Sequence, residues 1–239
     1  MRRIQQKGTY RVRNEPIGAA SALRTIIFDC GRVITLDQDM EYSDKMADFL
    51  GAPRPAFREA YSAERHEYDR GTIDAAEYWR RVAARLNATR LGAAISGSDL
   101  ARLIDLDIRS WFSINPATVE IIRALKKRGY RLLMLSNMNL EGKECLLGPF
   151  RTLGDEDWIA HFDEVLLSCD LKLLKPERAI YEACLALARA EPDACVFIDD
   201  TPKNVEAARA CGMRGIDFTD AASLRAALAP ALGDACPEL

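Results

Sequence analysis

Residues 26–33 read Ile-Ile-Phe-Asp-Cys-Gly-Arg-Val, a short apolar run that delivers Asp29 to its end and then turns at Gly31. Such a run fits a strand buried on both faces of a parallel sheet, with its carboxyl end opening into a loop. In open α/β sheets that edge is where ligands bind. Four further runs have the same character, at 131–135, 164–167, 194–198 and, more weakly, 214–218. Helical patterns lie between most of them. In 115–129, Asn115 stands as N-cap, Pro116 enters the first turn, Ile121, Ile122 and Leu125 form an apolar stripe, and Gly129 stops the helix after three basic residues. Segments 176–190 and 202–211 repeat the proline-first pattern, the latter with Thr201 as cap and Gly212 as stop. The expected fold class is α/β, a doubly wound and mostly parallel sheet.

One interval breaks the alternation. About a hundred residues separate the first strand from the second, where a crossover needs roughly a dozen. Segments 40–50, 54–68, 73–88 and 98–109 carry helix-type spacing, with loop signals at Gly51-Ala52-Pro53, Gly71 and Ser96-Gly97-Ser98. An inserted all-helical lobe over 37–112 is expected, with the sheet domain built from 25–36 and 113–239. Springing from the loop after Asp29, the lobe would sit above the carboxyl edge as a lid.

The 239 residues are 49% apolar, enough to bury one substantial core and a smaller second one. The net charge is −3 with acids and bases interspersed, which excludes a broad electrostatic footprint for nucleic acid. No run of 18 apolar residues occurs, so no membrane span is expected. Seven scattered cysteines, never spaced as CxxC, read as reduced, mostly packed thiols of a cytoplasmic protein. Residues 1–24 carry six basic residues against the single acid Glu15 and lack the apolar stretch of a secretory signal. They are expected to be a basic, disordered leader outside the fold.

The strand ends carry the chemistry. The first ends at Asp29, the second runs into Ser136-Asn137, the third leads to Lys172 and Lys175, and the fourth ends in Asp199-Asp200 with Asn204 shortly after. A hydroxyl, an amide and exposed backbone N–H groups suit a phosphoryl oxygen. Strands one and four flank the topological switch point, so three carboxylates would converge there. Like charges that close call for a hard divalent cation, most simply magnesium.

These residues, in this order, resemble the four motifs of the haloacid dehalogenase-like (HAD) superfamily of hydrolases: Phe28-Asp29-Cys30-Gly31-Arg32-Val33, then Ser136, then Lys175-Pro176-Glu177, then Asp199-Asp200. The resemblance spans 25 to about 218. It implies a Rossmann-like core with a helical cap after the first motif, and Mg2+ held by Asp29, the Gly31 carbonyl, Asp199 and Asp200. It implies catalytic roles for Asp29 and Lys175 and substrate contacts at Ser136 and Asn137. Asp29 would attack a phosphomonoester and form an aspartyl-phosphate that water then hydrolyses. An aspartate is ionised at neutral pH without an activating base, so its obstacle is repulsion by the phosphate dianion. The expected partner is a small phosphorylated metabolite, a sugar phosphate or nucleotide, with no nucleic acid and no membrane, and the chain is expected as a monomer or homodimer.

One position departs from the family pattern. Most family phosphatases carry a second aspartate two residues after the nucleophile, which protonates the leaving alkoxide and later activates water; here that residue is Gly31. Asp37, Asp39, His66 and Glu67 are candidate replacements by sequence position. Two other readings stay open: an inactive phosphate-binding or interaction homologue, and a 2-haloacid dehalogenase. The family's dehalogenases also lack the second aspartate but need no metal and generally lack the acidic pair, so Asp199-Asp200 favours phosphate. Asn204 would either cap its helix or position Asp200. His66 and His161 read as structural or solvated, Tyr61, Tyr68, Tyr78 and Trp79 as core of the lobe, and Cys30, on the other face of an extended strand from Asp29, as packed.

Overall fold

The computed structural model describes residues 23–87 and 95–232. The leader over 1–22, the end of the third lobe helix at 88, and Cys236 lie outside the described residues.

Strand β1 (Thr25–Phe28) lies at the centre of a five-stranded sheet. Its neighbours are β2 (Arg131–Ser136) on one side and β6 (Cys195–Asp199) on the other, with β5 (Glu164–Leu167) and β7 (Arg214–Asp217) outermost, and every pairing is parallel. The chain steps from β1 to β2 to β5 and then crosses to the opposite side of β1. The topological switch therefore falls between β1 and β6, at the carboxyl end of β1.

Alternation along β1 and β2 sends residues to opposite faces. Ile26, Phe28, Leu132 and Met134 pack with Val119, Ile122 and Leu125 of α5 (Pro116–Lys127). Ile27, Leu133 and Leu135 pack with Ile180, Tyr181 and Cys184 of α8 (Arg178–Ala188) and with Ala208 of α9 (Pro202–Ala210). With both faces covered, the strands can be apolar throughout. Each such side chain contributes roughly 1.5–3 kcal/mol when fully buried.

Between β1 and α5 stand α1 (Met40–Leu50), α2 (Arg54–Asp69), α3 (Ala75–Arg85) and α4 (Gly97–Trp111). Their boundaries follow capping chemistry. Asp39, Asp74 and Ser96 accept hydrogen bonds from first-turn N–H groups of α1, α3 and α4, and Gly51 ends α1 in the left-handed conformation (φ 66°). The four helices gather around their own apolar centre, which includes Met46, Phe57, Tyr78, Trp79, Val82 and Leu103. The aromatic residues Tyr61, Tyr68, Tyr78 and Trp79 are all buried there, in keeping with their reading as core. Entry and exit of this lobe are stitched together by the bridge Thr35–Ile114 and the Asn115 N–H donated to Ile34 O.

Several local expectations change. The proline-first helix at 176–190 begins only at Arg178 and ends at Ala188, with Pro176 in the turn before it. Asn115 and Thr201 occupy N-cap positions but make no side-chain cap bond. Further elements lacked a clear sequence signal: α6 (Leu140–Leu147), the two-residue strands β3 (Thr152–Leu153) and β4 (Glu156–Asp157), the single turn α7 (Ser168–Leu171), and α10 (Ala221–Leu232), which contains Pro230. Apart from α10, these elements fall below the length at which periodicity can be read. No helix among the described residues is long and apolar enough to cross a membrane.

Candidate active site

Asp29 follows the last residue of β1, and its N–H still donates to Ile198 O, so the strand ladder sets where the carboxylate emerges. Its Oδ1 lies 2.8 Å from Lys175 Nζ, and the same ammonium lies 2.7 Å from Asp199 Oδ2. Lys175 is 2% exposed at its side chain and Asp199 0%, so this is a buried ion triad. Burial pushes the Asp29 carboxyl up, and the Lys175 charge opposes that rise. For Lys175, burial works against the charged form, but the two carboxylates outweigh it and the ammonium is held above its ordinary range.

Each member is held in place by backbone or amide groups. The side-chain amide of Asn137 brackets the Lys175 peptide, accepting from its N–H at 2.9 Å and donating to its carbonyl at 3.1 Å. Asn137 was expected as a substrate contact; its amide holds the Lys175 peptide, and the residue also lines both cavities at the site. Asp199 accepts from the Thr201 N–H at 2.8 Å and from Asn204 Nδ2 at 3.0 and 3.1 Å. Asn204 thus fastens Asp199, not Asp200. Asp200 pairs at 2.7 Å with Arg32, whose Nε also donates to Asp37 at 2.8 Å. Arg32 adopts a left-handed φ of 61° immediately after Gly31, and this turn carries its guanidinium back over the site.

Oxygen atoms of Asp29, Asp199 and Asp200 lie within 4.8 Å of one another. Three carboxylates face the two cations Lys175 and Arg32, which leaves one negative charge uncompensated. Asn204 Oδ1, buried and without a protein partner, lies at the same cavity. An all-oxygen, net-negative set of this kind fits a hard divalent cation. Asp199 has its lone pairs taken by Lys175, Thr201 and Asn204, so Asp29, Asp200 and the backbone carbonyl of Gly31 are the groups left to hold one.

Two cavities meet here. One of about 250 Å³ is lined by Asp29, Gly31, Ser136, Lys175 and Asp200. The other, about 230 Å³, shares Gly31, Ser136, Asn137 and Trp111 with the first and runs into the helical lobe, to Arg65 and Asp69. Ser136, expected as a substrate contact, lines both. The preference for Lys175 over Lys172 agrees with the geometry, since Lys172 instead donates to Gly71 O at the surface. Cys30 is buried, and burial pushes its thiol far up, in keeping with a packed, unreactive role.

The lobe contributes a second buried charge cluster that sequence reasoning missed. Arg65 donates to both oxygens of Asp107 at 3.1 and 2.9 Å, to Tyr61 Oη at 2.7 Å and to Asp69 at 3.2 Å. Tyr61 donates to Asp107 and accepts from Trp111 Nε1 at 2.9 Å. A signal was present: Asp107 sits on the buried stripe of α4 with Leu103 and Ser110, an acid where an apolar residue belongs. The candidates singled out by position lie elsewhere. His66 and Glu67 are exposed, Asp39 caps α1, Asp37 pairs with Arg32, and none of the four lines either cavity.

A family model described as haloacid dehalogenase-like hydrolase matches residues 23–212, and the chain belongs to that family. Its sheet order, inserted helices and buried Asp–Lys–Asp triad are what this membership organises. A bifunctional epoxide hydrolase 2 of Mus musculus is 26% identical over 227 residues, covering 91% of this chain and 40% of that protein. The Rattus norvegicus counterpart is 33% identical over 128 residues, 53% of this chain and 22% of its own length. The chain thus spans well under half of these curated relatives. Among solved structures, a HAD family enzyme from Bacteroides thetaiotaomicron in complex with magnesium superposes with a TM-score of 0.69 at 18% identity, covering 83% of this chain and 94% of that one. A dehalogenase with an intermediate complex superposes at 0.58 with 22% identity, covering 84% and 87%. These likenesses establish the shared fold.

Proposed function

We propose that the chain is a magnesium-dependent phosphatase of small phosphomonoesters, with Asp29 as nucleophile. The observation that carries this reading is the net-negative set of Asp29, Asp199 and Asp200 gathered within 4.8 Å around a buried lysine. Attack on a haloacid carbon asks for no such surplus of carboxylates, whereas a phosphate dianion approaching Asp29 needs cations to screen it. Magnesium bound by Asp29, Asp200 and the Gly31 carbonyl would supply that screening charge. The magnesium-bound neighbour shares the fold and lends support to the metal.

Within this reading Lys175 opposes the rise that burial imposes on the Asp29 carboxyl and offers its remaining N–H capacity to a phosphoryl oxygen, while Ser136, lining the same cavity, donates its hydroxyl. Asp199 and Asn204 fix the ammonium, and Asn137 fixes the backbone that carries it. Asp29 Oδ forms a bond to phosphorus as the ester oxygen leaves, and water later cleaves the acyl phosphate. The leaving group would occupy the cavity that runs into the lobe, which therefore acts as a cap that selects substrate. A small phosphorylated metabolite is the substrate class this reading assigns to it.

The test is phosphate release from a panel of phosphomonoesters, with magnesium or with chelator, for the native chain and Asp29→Asn. Magnesium-dependent release that Asp29→Asn abolishes is expected. Release that survives the substitution would overturn the mechanism, and halide release from a 2-haloacid in chelator would replace it with a dehalogenase.

A further inference from the structure

Gly31 leaves the phosphatase reaction without a proton carrier at the position where the family pattern has one, and an ideal Cβ built there meets nothing within 4 Å. The cavity that Gly31 helps to line is lined on its lobe side by Asp69. Among the described residues lining the two cavities, the carboxylates are Asp29, Asp69, Asp107 and Asp200. Asp29 and Asp200 belong to the triad region, and Asp107, 5% exposed at its side chain, takes both Arg65 and Tyr61. Asp69 is the more open of the two lobe carboxylates, at 14%. Arg65 Nε is shared between its oxygens at 3.0 and 3.2 Å and Asn139 Nδ2 lies 3.3 Å from Oδ1, which leaves Oδ2 with one shared donor and a lone pair for the cavity.

Although Asp69 comes from the lobe, it is fastened to the sheet domain. Ser168 Oγ donates to the Asp69 carbonyl and itself accepts from the Met138 N–H at 2.8 Å, in the loop that follows Ser136. On one side of it Tyr68 Oη donates to Glu141 at 2.9 Å; on the other Arg70 pairs with Glu177, and Lys172 donates to Gly71 O. Gly71 allows this approach, since it holds a φ of 69° and any Cβ would come within 2.7 Å of Lys172 Nζ. The C-terminal turn of α2 is thus tied by hydrogen bonds to the Ser136–Asn139 loop and its neighbours.

We infer that Asp69 is the general acid and base of the reaction, a role that rests on the phosphatase reading of Asp29. As Asp29 Oδ bonds to phosphorus and the P–O bond to the leaving group breaks, the carboxylic acid of Asp69 gives its proton to the departing oxygen. The resulting carboxylate then takes a proton from the water that attacks the aspartyl-phosphate. The P–O bond to Asp29 breaks, inorganic phosphate leaves, and Asp69 is protonated again. Ester and water go in, alcohol and phosphate come out, and both carboxyls return to their starting states.

The surroundings suit the task. Burial raises the Asp69 carboxyl above its ordinary range, the Arg65 charge opposes that rise, and Asp107 adds to it. Arg65 from its own helix, Asp107 from α4 and Asn139 at the start of α6 face the carboxylate, with Arg70, Glu141 and Lys172 at the surrounding seam. An acid held above its ordinary range in this way is better suited to give and recover a proton than a solvated one.

The experiment compares kcat/KM for 4-nitrophenyl phosphate, whose leaving group needs no proton, with that for phenyl phosphate, whose leaving group does. It uses the native chain, Asp69→Asn, and Asp69→Asn combined with Gly31→Asp. Asp69→Asn is expected to lose on the order of 10²-fold on phenyl phosphate and less than about tenfold on 4-nitrophenyl phosphate, with the acidic form's contribution gone from the pH profile. Gly31→Asp, placed in open space, is expected to restore most of the loss. The ratio between two esters within one variant is unaffected by any fraction that fails to fold. An equal loss on both esters, or no loss, would overturn the role of Asp69 while leaving Asp29 in place. Turnover that persists in Asp29→Asn would instead remove the phosphatase reading beneath it.

Discussion

The molecule buries the same electrostatic arrangement twice, one cation clamped between two carboxylates, and the two copies behave differently. At the sheet edge Lys175 lies between Asp29 and Asp199. In the lobe Arg65 lies between Asp69 and Asp107. Lysine is a point charge, and with Asp200 nearby it leaves the edge cluster with a surplus of negative charge, which on the proposed function magnesium would meet. The arginine fork spreads its donors over Asp69, Asp107 and the phenol of Tyr61, so the lobe cluster is largely self-satisfied. On the proposed function, the same charge count gives the nucleophile's surroundings in one place and a support that positions Asp69 in the other. What decides is the geometry of the donors.

Removing each cation separates the two. Lys175→Met leaves Asp29 and Asp199 buried without their counter-charge, and a loss of about 3–5 kcal/mol of stability is expected, together with turnover falling by at least about 10³-fold. Chemical denaturation and phosphate release measure the two effects. Arg65→Met is expected to cost a similar stability, about 3–5 kcal/mol, but to leave 4-nitrophenyl phosphate turnover within roughly tenfold of native. Equal damage to catalysis by both substitutions would erase the distinction between site and support.

Smaller changes sharpen it. Asn204→Ala removes two hydrogen bonds from the buried Asp199 carboxylate, and a loss of about 1–3 kcal/mol is expected, with Lys175 less firmly placed and kcat lowered more than KM is raised. The smallest effect expected is a gain. The Asp29 carboxyl is raised in the fold, so its contribution to stability is full below the unfolded value and is lost as pH rises through the folded value, near 7. In chelator, Asp29→Asn should therefore melt a few degrees above native at pH 8 and show no advantage at pH 4. Magnesium should raise the melting temperature of the native chain at pH 8 and leave that of Asp29→Asn little changed. A destabilised Asp29→Asn at pH 8 would mean that Lys175 needs this partner more than the fold resents the charge.

The strand ends were legible because a strand is a local object. Asp29, Ser136 and Asp199 each end or directly follow an apolar run, and parallel register fixes those ends side by side: Phe28 pairs with both Met134 and Ile198. Lys175 was legible only as a loop lysine near a proline, and its burial comes from the Asn137 amide that brackets its peptide. The bond from Asn137 to Lys175 was not legible for the same reason, since nothing near position 137 in the sequence announces a partner 38 residues away. Asn204 pointed to the right neighbourhood and to the wrong aspartate of the pair. The short elements α6, α7 and the β3–β4 hairpin carry too few residues for periodicity to mark them.

By itself, then, the order of apolar runs and proline-led helices determined a parallel α/β sheet with a helical insertion, and put an acid at the end of its central strand. That follows from local patterning, because hydrophobic periodicity and capping act within a few residues. Tertiary structure alone decided which charges meet. It turned Arg32 back onto Asp200, tied the Asn137 side chain to the Lys175 peptide, and brought Asp107 across to Arg65 at a cavity that Asp69 helps to line. Those contacts depend on how helices pack and how loops close, and a buried charge has no sequence neighbour that reveals its partner.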